Sequence, residues 1–153
     1  MYDKILIPTD GSQTAEVAIE HAIDHAERYD AELHALYVVD IDAVNIALGT
    51  EQVDRIKEGK FHEMTEVKEK AERALEVVNR KASGRGIDVT EEIRAGQPFR
   101  VIRDYVDDND IDLVVIGSHG RGGFKRRVMG SVTERVLRST ALPVLVVDAK
   151  ATG

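Results

Sequence analysis

Two short groups, Gly117-Ser118-His119-Gly120 and Gly130-Ser131-Val132-Thr133, have residue types and a spacing suited to holding phosphate. A continuous apolar run, Leu113-Val114-Val115-Ile116, leads into the first group, and an apolar-periodic segment follows the second. A buried strand, a glycine-bracketed loop and a helix start bring backbone N–H groups close to an anion. The dipole of the helix start then favours negative charge. The Ser131 and Thr133 hydroxyls add donors beside those amides. A plainer account competes: Ser131 followed by Glu134 has the spacing of a capping box, which opens many helices that bind nothing.

The commoner nucleotide signatures do not fit. Gly117-x4-Gly122 is followed by Gly123, so the lysine of a Walker A loop is missing. Gly120-Arg121-Gly122 begins a dinucleotide fingerprint but meets Lys125 where the third glycine belongs. Neither an HRD-type catalytic loop nor a DFG-type metal motif occurs, so no set of phosphoryl-transfer residues is complete. Arg121, Lys125, Arg126 and Arg127 make this loop cationic, which either attracts a polyphosphate or is scattered charge on a solvated turn. His119 is a candidate for proton transfer, with an ordinary polar loop residue as the alternative. His21 and His25 have metal-like i, i+4 spacing but no third ligand, and are expected to face water. No catalytic residue and no metal ligand is therefore assigned. The acidic run Asp104 to Asp112 is expected to be a helix end and solvated turn rather than a cation site.

The elements that would position these residues alternate strand and helix from end to end, the pattern of an α/β fold whose parallel sheet is covered on both faces. Residues 3–9 form a buried strand. Ser12 then caps a helix whose apolar face is Ala15, Ala18, Ile19, Ala22, Ile23 and Ala26. A second strand covers 32–39, and 41–50 form a variable connection. A charge-dense helix is expected from about Glu51 to Ala82, bent near Gly59 and stopped by Gly84-Arg85-Gly86. Its Met64, Val67, Ala71, Ala74 and Val78 repeat suits a helix lying along a sheet, and equally a coiled-coil seam. Residues 87–94 read as a polar edge strand. Pro98 opens a short helix with Val101, Ile102, Tyr105 and Val106 on its apolar face. A helix from Ser131 to about Ser139 and a last strand at Leu142–Val147 complete one domain over 1–153.

Composition narrows the function classes. The chain is 42% hydrophobic but only 5% aromatic, so its core must be built mainly from Val, Ile, Leu and Ala. It has no cysteine, which excludes a disulfide scaffold and a thiolate zinc site. A net charge of −7, from 28 acidic and 21 basic residues, argues against nucleic acid as a partner. No apolar stretch approaches the roughly 18 residues that suggest a membrane span, and Met1 leads straight into strand-like sequence. A cytoplasmic protein is expected.

Four segments in order resemble the universal stress protein family, specifically its ATP-binding branch. Gly117, Gly120, Gly130 and Ser131 match that branch's Gly-x2-Gly-x9-Gly-Ser/Thr signature. Lys4-Ile5-Leu6-Ile7-Pro8-Thr9-Asp10-Gly11-Ser12 resembles its first strand and turn, Leu36-Tyr37-Val38-Val39-Asp40 its second strand end, and Leu142-Pro143-Val144-Leu145-Val146-Val147 its last strand. The resemblance implies a Rossmann-like, adenine nucleotide alpha hydrolase-like fold with strand order 3-2-1-4-5. The order reverses between strands 1 and 4, opening a crevice at their carboxyl ends, where Pro8-Thr9-Asp10 and Gly117-Ser118 converge.

The resemblance further implies ATP, accompanied by Mg2+, as the ligand. Adenine and ribose lie against Thr9, Asp10 and Val38, with Gly117 beside the sugar; Asp10 in Asp10-Gly11 is otherwise a turn residue. Gly120, Gly130, Ser131, Val132 and Thr133 hold the phosphates, with Ser118, His119 and Arg121 in the same loop. A homodimer through the edge strand Val144–Val147 is implied, against a monomer whose tail, Lys150 to Gly153, covers that edge. The function implied is a nucleotide-dependent regulatory module in stress response with an unidentified protein partner. The alternatives are an interaction protein that needs no nucleotide, or a slow ATPase.

Overall fold

The computed structural model describes residues 1–42, 65–119 and 129–149. The elements are β1 (Lys4–Thr9), α1 (Gln13–Tyr29), β2 (Glu32–Asp40), α2 (Thr65–Ser83), β3 (Val89–Gly96), α3 (Pro98–Asp108), β4 (Leu113–Gly117), α4 (Ser131–Ser139) and β5 (Val144–Val147). The strands form one parallel sheet in the order β3-β2-β1-β4-β5, as expected. Because side chains alternate along a strand, each central strand supplies two cores. Ile5, Ile7, Leu33, Ala35, Leu113 and Val115 pack beneath α1 and α2, while Leu6, Leu36, Val114 and Ile116 pack beneath α3 and α4. Full burial of each of the Val, Leu and Ile side chains contributes about 1.5–3 kcal/mol.

The helix along the sheet is the outcome for α2. Ala71, Ala74, Leu75, Val78 and Ala82 are buried, with Leu75, Val78 and Ala82 in the core shared with α1 and β2. The earlier part of the expected helix, including Gly59 and Met64, and residues 43–50 of the variable connection lie outside the described residues. After Ser83 the chain turns back: Gly84 N–H donates to Arg80 O at 3.2 Å, and Gly86 takes a φ of 70°. β3, expected at 87–94, starts and ends two residues later, at Val89–Gly96, and is the polar edge of the sheet.

Two local expectations need correction. His21 and His25 are half-buried rather than turned to water; the His25 Nδ1 lies 2.8 Å from the His21 carbonyl, and the His21 Nε2 is buried without a hydrogen-bond partner. No group of three metal-ligating side chains occurs among the described residues. The acidic run is also more than a solvated turn. Asp112 accepts the backbone N–H groups of Asp3 (2.8 Å) and Lys4 (3.3 Å), tying the chain's start to β4, and Asp108 lies 3.6 Å from Arg94. Beneath α3, the Tyr105 hydroxyl lies 2.7 Å from His34 Nδ1, and burial pushes that phenol above its ordinary pKa. Among the described residues no helix is long and apolar enough to cross a membrane.

Candidate functional site

Strands β1 and β4 part toward their carboxyl ends. Their pairing covers only Ile5↔Leu113 and Leu6↔Val114, whereas β1 continues to Thr9 along β2 and β4 to Gly117 along β5. Pro8, which has no N–H for a ladder, sits beyond the last β1–β4 pair. The first lip of the opening is the turn after β1. Thr9 is buried and its Oγ1 accepts the Gly11 N–H at 3.2 Å; an Asp10 carboxylate oxygen accepts the Ser12 N–H at 2.9 Å. Gly11 has a φ of 78°, a conformation that favours glycine. Ser12 caps α1 as expected, its Oγ accepting the Ala15 N–H at 3.2 Å. Val38, at the end of β2, is half-buried on the same face of the sheet as Leu6 and Leu36.

The second lip is built by β4 and α4. The Ser118 N–H donates to Val147 O at 2.8 Å, and the Ser118 carbonyl accepts the Gly130 N–H at 2.6 Å. That last bond joins the two halves of the glycine signature across the loop. A Cβ on Gly130 would lie 3.1 Å from His119 Cα, so the glycine is required by closeness and not by φ, which is −65°. Gly117 has a similar reason: a Cβ there would come within 2.8 Å of Thr14 Cγ2, at the start of α1. His119 bridges the lips, with Nε2 3.1 Å from Thr14 Oγ1 and Nδ1 3.1 Å from Ser118 Oγ. Both ring nitrogens are hydrogen-bonded to hydroxyls within the fold.

Helix α4 starts at Ser131 as expected, but its cap is not the one the capping-box spacing suggests. Gly130 is the N-cap, Ser131 is the first helical residue, and among the described residues no side chain caps the first turn. The Ser131–Glu134 capping box is therefore not formed; Glu134 instead pairs with Arg138 at 2.8 Å. The Thr133 hydroxyl is only 3% exposed and donates to the Gly117 carbonyl at 2.8 Å. A hydroxyl has one proton, so Thr133 anchors α4 to β4 and its contribution to an anion reduces to its backbone amide. Among the described residues the N–H groups of Ser131, Val132 and Thr133 have no partner, the condition under which a helix start attracts an anion.

Direct contacts thus join Gly117, Ser118, His119, Gly130 and Thr133, while sheet topology sets Pro8, Thr9, Asp10 and Val38 along the same carboxyl rim. Gly120, Arg121, Lys125, Arg126 and Arg127 lie outside the described residues, as does the tail from Lys150. Thr14, which holds His119 and packs on Gly117, is absent from the sequence reading. It is the second residue of an ordinary helix start, and no local pattern marks it.

The sequence pattern of the Universal stress protein family matches residues 1–148. The chain is 37% identical over 148 residues to universal stress protein MJ0531 of Methanocaldococcus jannaschii, covering 96% of this chain and 82% of that protein. It is 32% identical over 157 residues to universal stress protein MJ0577 of the same organism, covering 98% and 97%. The solved structure of MJ0577 is similar with a TM-score of 0.78 over 99% of both chains. A universal stress protein of Archaeoglobus fulgidus, solved in complex with dAMP, shares the fold at a TM-score of 0.63 and 21% identity, over 95% of this chain and 98% of that one. With the family pattern spanning nearly all of the sequence, the chain belongs to the universal stress protein family.

Proposed function

We propose that this protein binds ATP with Mg2+ in the crevice between β1 and β4, and that it acts in the cytoplasm as a homodimeric, nucleotide-dependent regulatory module of stress response. The observation that carries this reading is the uncapped first turn of α4, locked beside the β4 end by the Gly130–Ser118 and Thr133–Gly117 bonds. Its amides and the Ser131 hydroxyl hold phosphate oxygens, joined by Gly120 and Arg121 of the loop. Thr9, Asp10 and Val38 receive ribose and adenine, and Ser118 and His119 shape the loop between them. An adenine nucleotide is the first ligand to try because a fold relative was solved with dAMP. Mg2+ would arrive with the triphosphate and offset its charge, and no described side chain is assigned to it.

Binding rather than turnover fits the side chains present. The chain has no Walker lysine and no HRD-type or DFG-type motif, so any hydrolysis is slow. The homodimer forms through β5, an edge strand whose Val144, Leu145 and Val146 remain half-buried in the single chain. Calorimetric titration of nucleotide-stripped protein with Mg-ATP, AMP and GTP tests the proposal. Micromolar ATP binding with weaker GTP is expected. Absence of binding by all three would remove the nucleotide reading and leave a partner-binding protein in its place.

A further inference from the structure

One cluster at the carboxyl rim has no part in the site as described so far. Phe99, in the first turn of α3, has the guanidinium carbon of Arg135 4.9 Å from its ring centroid and that of Arg100 5.5 Å away. The ring is half-buried and, like Val132, packs against the core beneath α3 and α4. Gln97 orients Arg100, its Oε1 accepting the Nε–H at 2.8 Å. Neither arginine has a carboxylate partner among the described residues, and Glu134, the acid next to Arg135, is turned to Arg138. Two like charges held on one ring repel each other, and this chain carries a net −7 from which partners were available.

The placement of Arg135 is the informative part. It lies four residues after Ser131 on α4, and helical side chains lean toward the helix N-terminus, so Arg135 lies over the uncapped first turn. One turn of helix is about 5.4 Å, within the reach of an arginine side chain. Stacking on Phe99 restricts the guanidinium in advance, and its planar fork suits phosphate oxygens.

We infer that Arg135, held by Phe99 and assisted by Arg100, contacts the outer phosphates of a nucleoside polyphosphate and so makes this site discriminate ATP from AMP. The inference rests on the nucleotide reading above and adds the group that counts phosphates. A monophosphate on the α4 amides ends before the stack, whereas a triphosphate extends past those amides toward it. Phe99 is a positioning residue, since it acts through the arginine.

The test is calorimetric titration of the wild type and the variants Arg135→Gln, Arg135→Lys and Phe99→Leu with Mg-ATP and with AMP, each variant first checked for cooperative thermal unfolding. Arg135→Gln is expected to weaken ATP binding about tenfold, the effect of one lost charge-assisted hydrogen bond, and to leave AMP unchanged. Arg135→Lys should restore part of the ATP affinity, and Phe99→Leu should give a smaller loss confined to ATP. Equal losses for ATP and AMP would overturn the inference by showing a general effect on the site, and unchanged ATP affinity would overturn it by showing that the stack only packs. If the wild type binds neither nucleotide, the nucleotide reading itself fails and the inference falls with it; if the wild type binds and the variants do not discriminate, only the inference fails.

Discussion

Helices α1 and α4 are the next helices in the chain after the adjacent strands β1 and β4, and their N-cap residues have nearly the same backbone. Ser12 has φ −73° and ψ 163°; Gly130 has φ −65° and ψ 156°. Their surroundings are opposite. The turn into α1 is closed by its own side chains, with Thr9, Asp10 and Ser12 each accepting a nearby N–H. The turn into α4 is capped by a residue without a side chain, so among the described residues its first amides have no partner. The difference is one of residue type at matching geometry: a serine cap satisfies the helix start, and a glycine cap leaves it available to an anion. What holds α4 in place comes from behind, through Gly130 N–H to Ser118 and Thr133 to Gly117.

The largest test of this contrast is Gly130→Val. A Cβ there already stands 3.1 Å from His119 Cα and 3.5 Å from the Ser118 carbonyl oxygen, and both neighbours are backbone. Valine must therefore push the helix start away from β4. Losing two charge-assisted hydrogen bonds, at about 1.5–3 kcal/mol each, lowers ATP affinity roughly a hundredfold or more. Gly130→Ala should fall between this variant and the wild type, because the neighbours need give only a few tenths of an ångström. Calorimetry on both variants, with circular dichroism confirming the fold, measures the ladder. Wild-type affinity in Gly130→Val would mean that the open turn is not where the phosphates lie.

The same contrast separates what was legible in the sequence from what was not. The strands, the Ser12 cap and Pro98 at the start of α3 follow from neighbours within a few residues, so local pattern is enough to find them, while the sheet order comes from the family resemblance. The start of α4 is different. Ser131 and Glu134 have capping-box spacing, yet the cap is Gly130, whose N–H bonds to Ser118 across the whole loop, and Ser131 is already helical. Thr133 reads as a phosphate donor until its hydroxyl is seen to reach Gly117. Thr14 meets His119 and Gly117 only once α1 is laid against β4. The Phe99–Arg135 stack likewise needs α3 and α4 side by side. In each case the missing information is a tertiary contact.

A smaller effect is expected from Thr133→Val, which keeps the shape and removes the donor at the Gly117 carbonyl. Loss of a buried hydrogen bond that leaves one partner unsatisfied costs about 1–3 kcal/mol, read as a shift in the urea midpoint at unchanged slope. ATP affinity should fall as well, though less than in Gly130→Val, because the helix start loses its rear anchor and not its place. If stability drops while ATP affinity stays fixed, the first turn of α4 keeps its position without Thr133, and the Gly130–Ser118 bond alone holds it.

The smallest effect belongs to the closed side. Ser12→Ala removes the side chain that accepts the Ala15 N–H, and loss of such a cap costs about 0.5–2 kcal/mol. The Asp10 and Thr9 bonds to the turn remain, so the chain path into α1 is kept and Thr14 stays against His119. Stability should therefore decrease in urea titrations while ATP affinity is unchanged. That outcome would separate the two helix starts by function, one stabilising the fold and the other receiving the ligand. A loss of ATP affinity in a variant that unfolds only slightly earlier would instead show Ser12 touching the nucleotide, and the closed turn would then belong to the binding surface as fully as the open one.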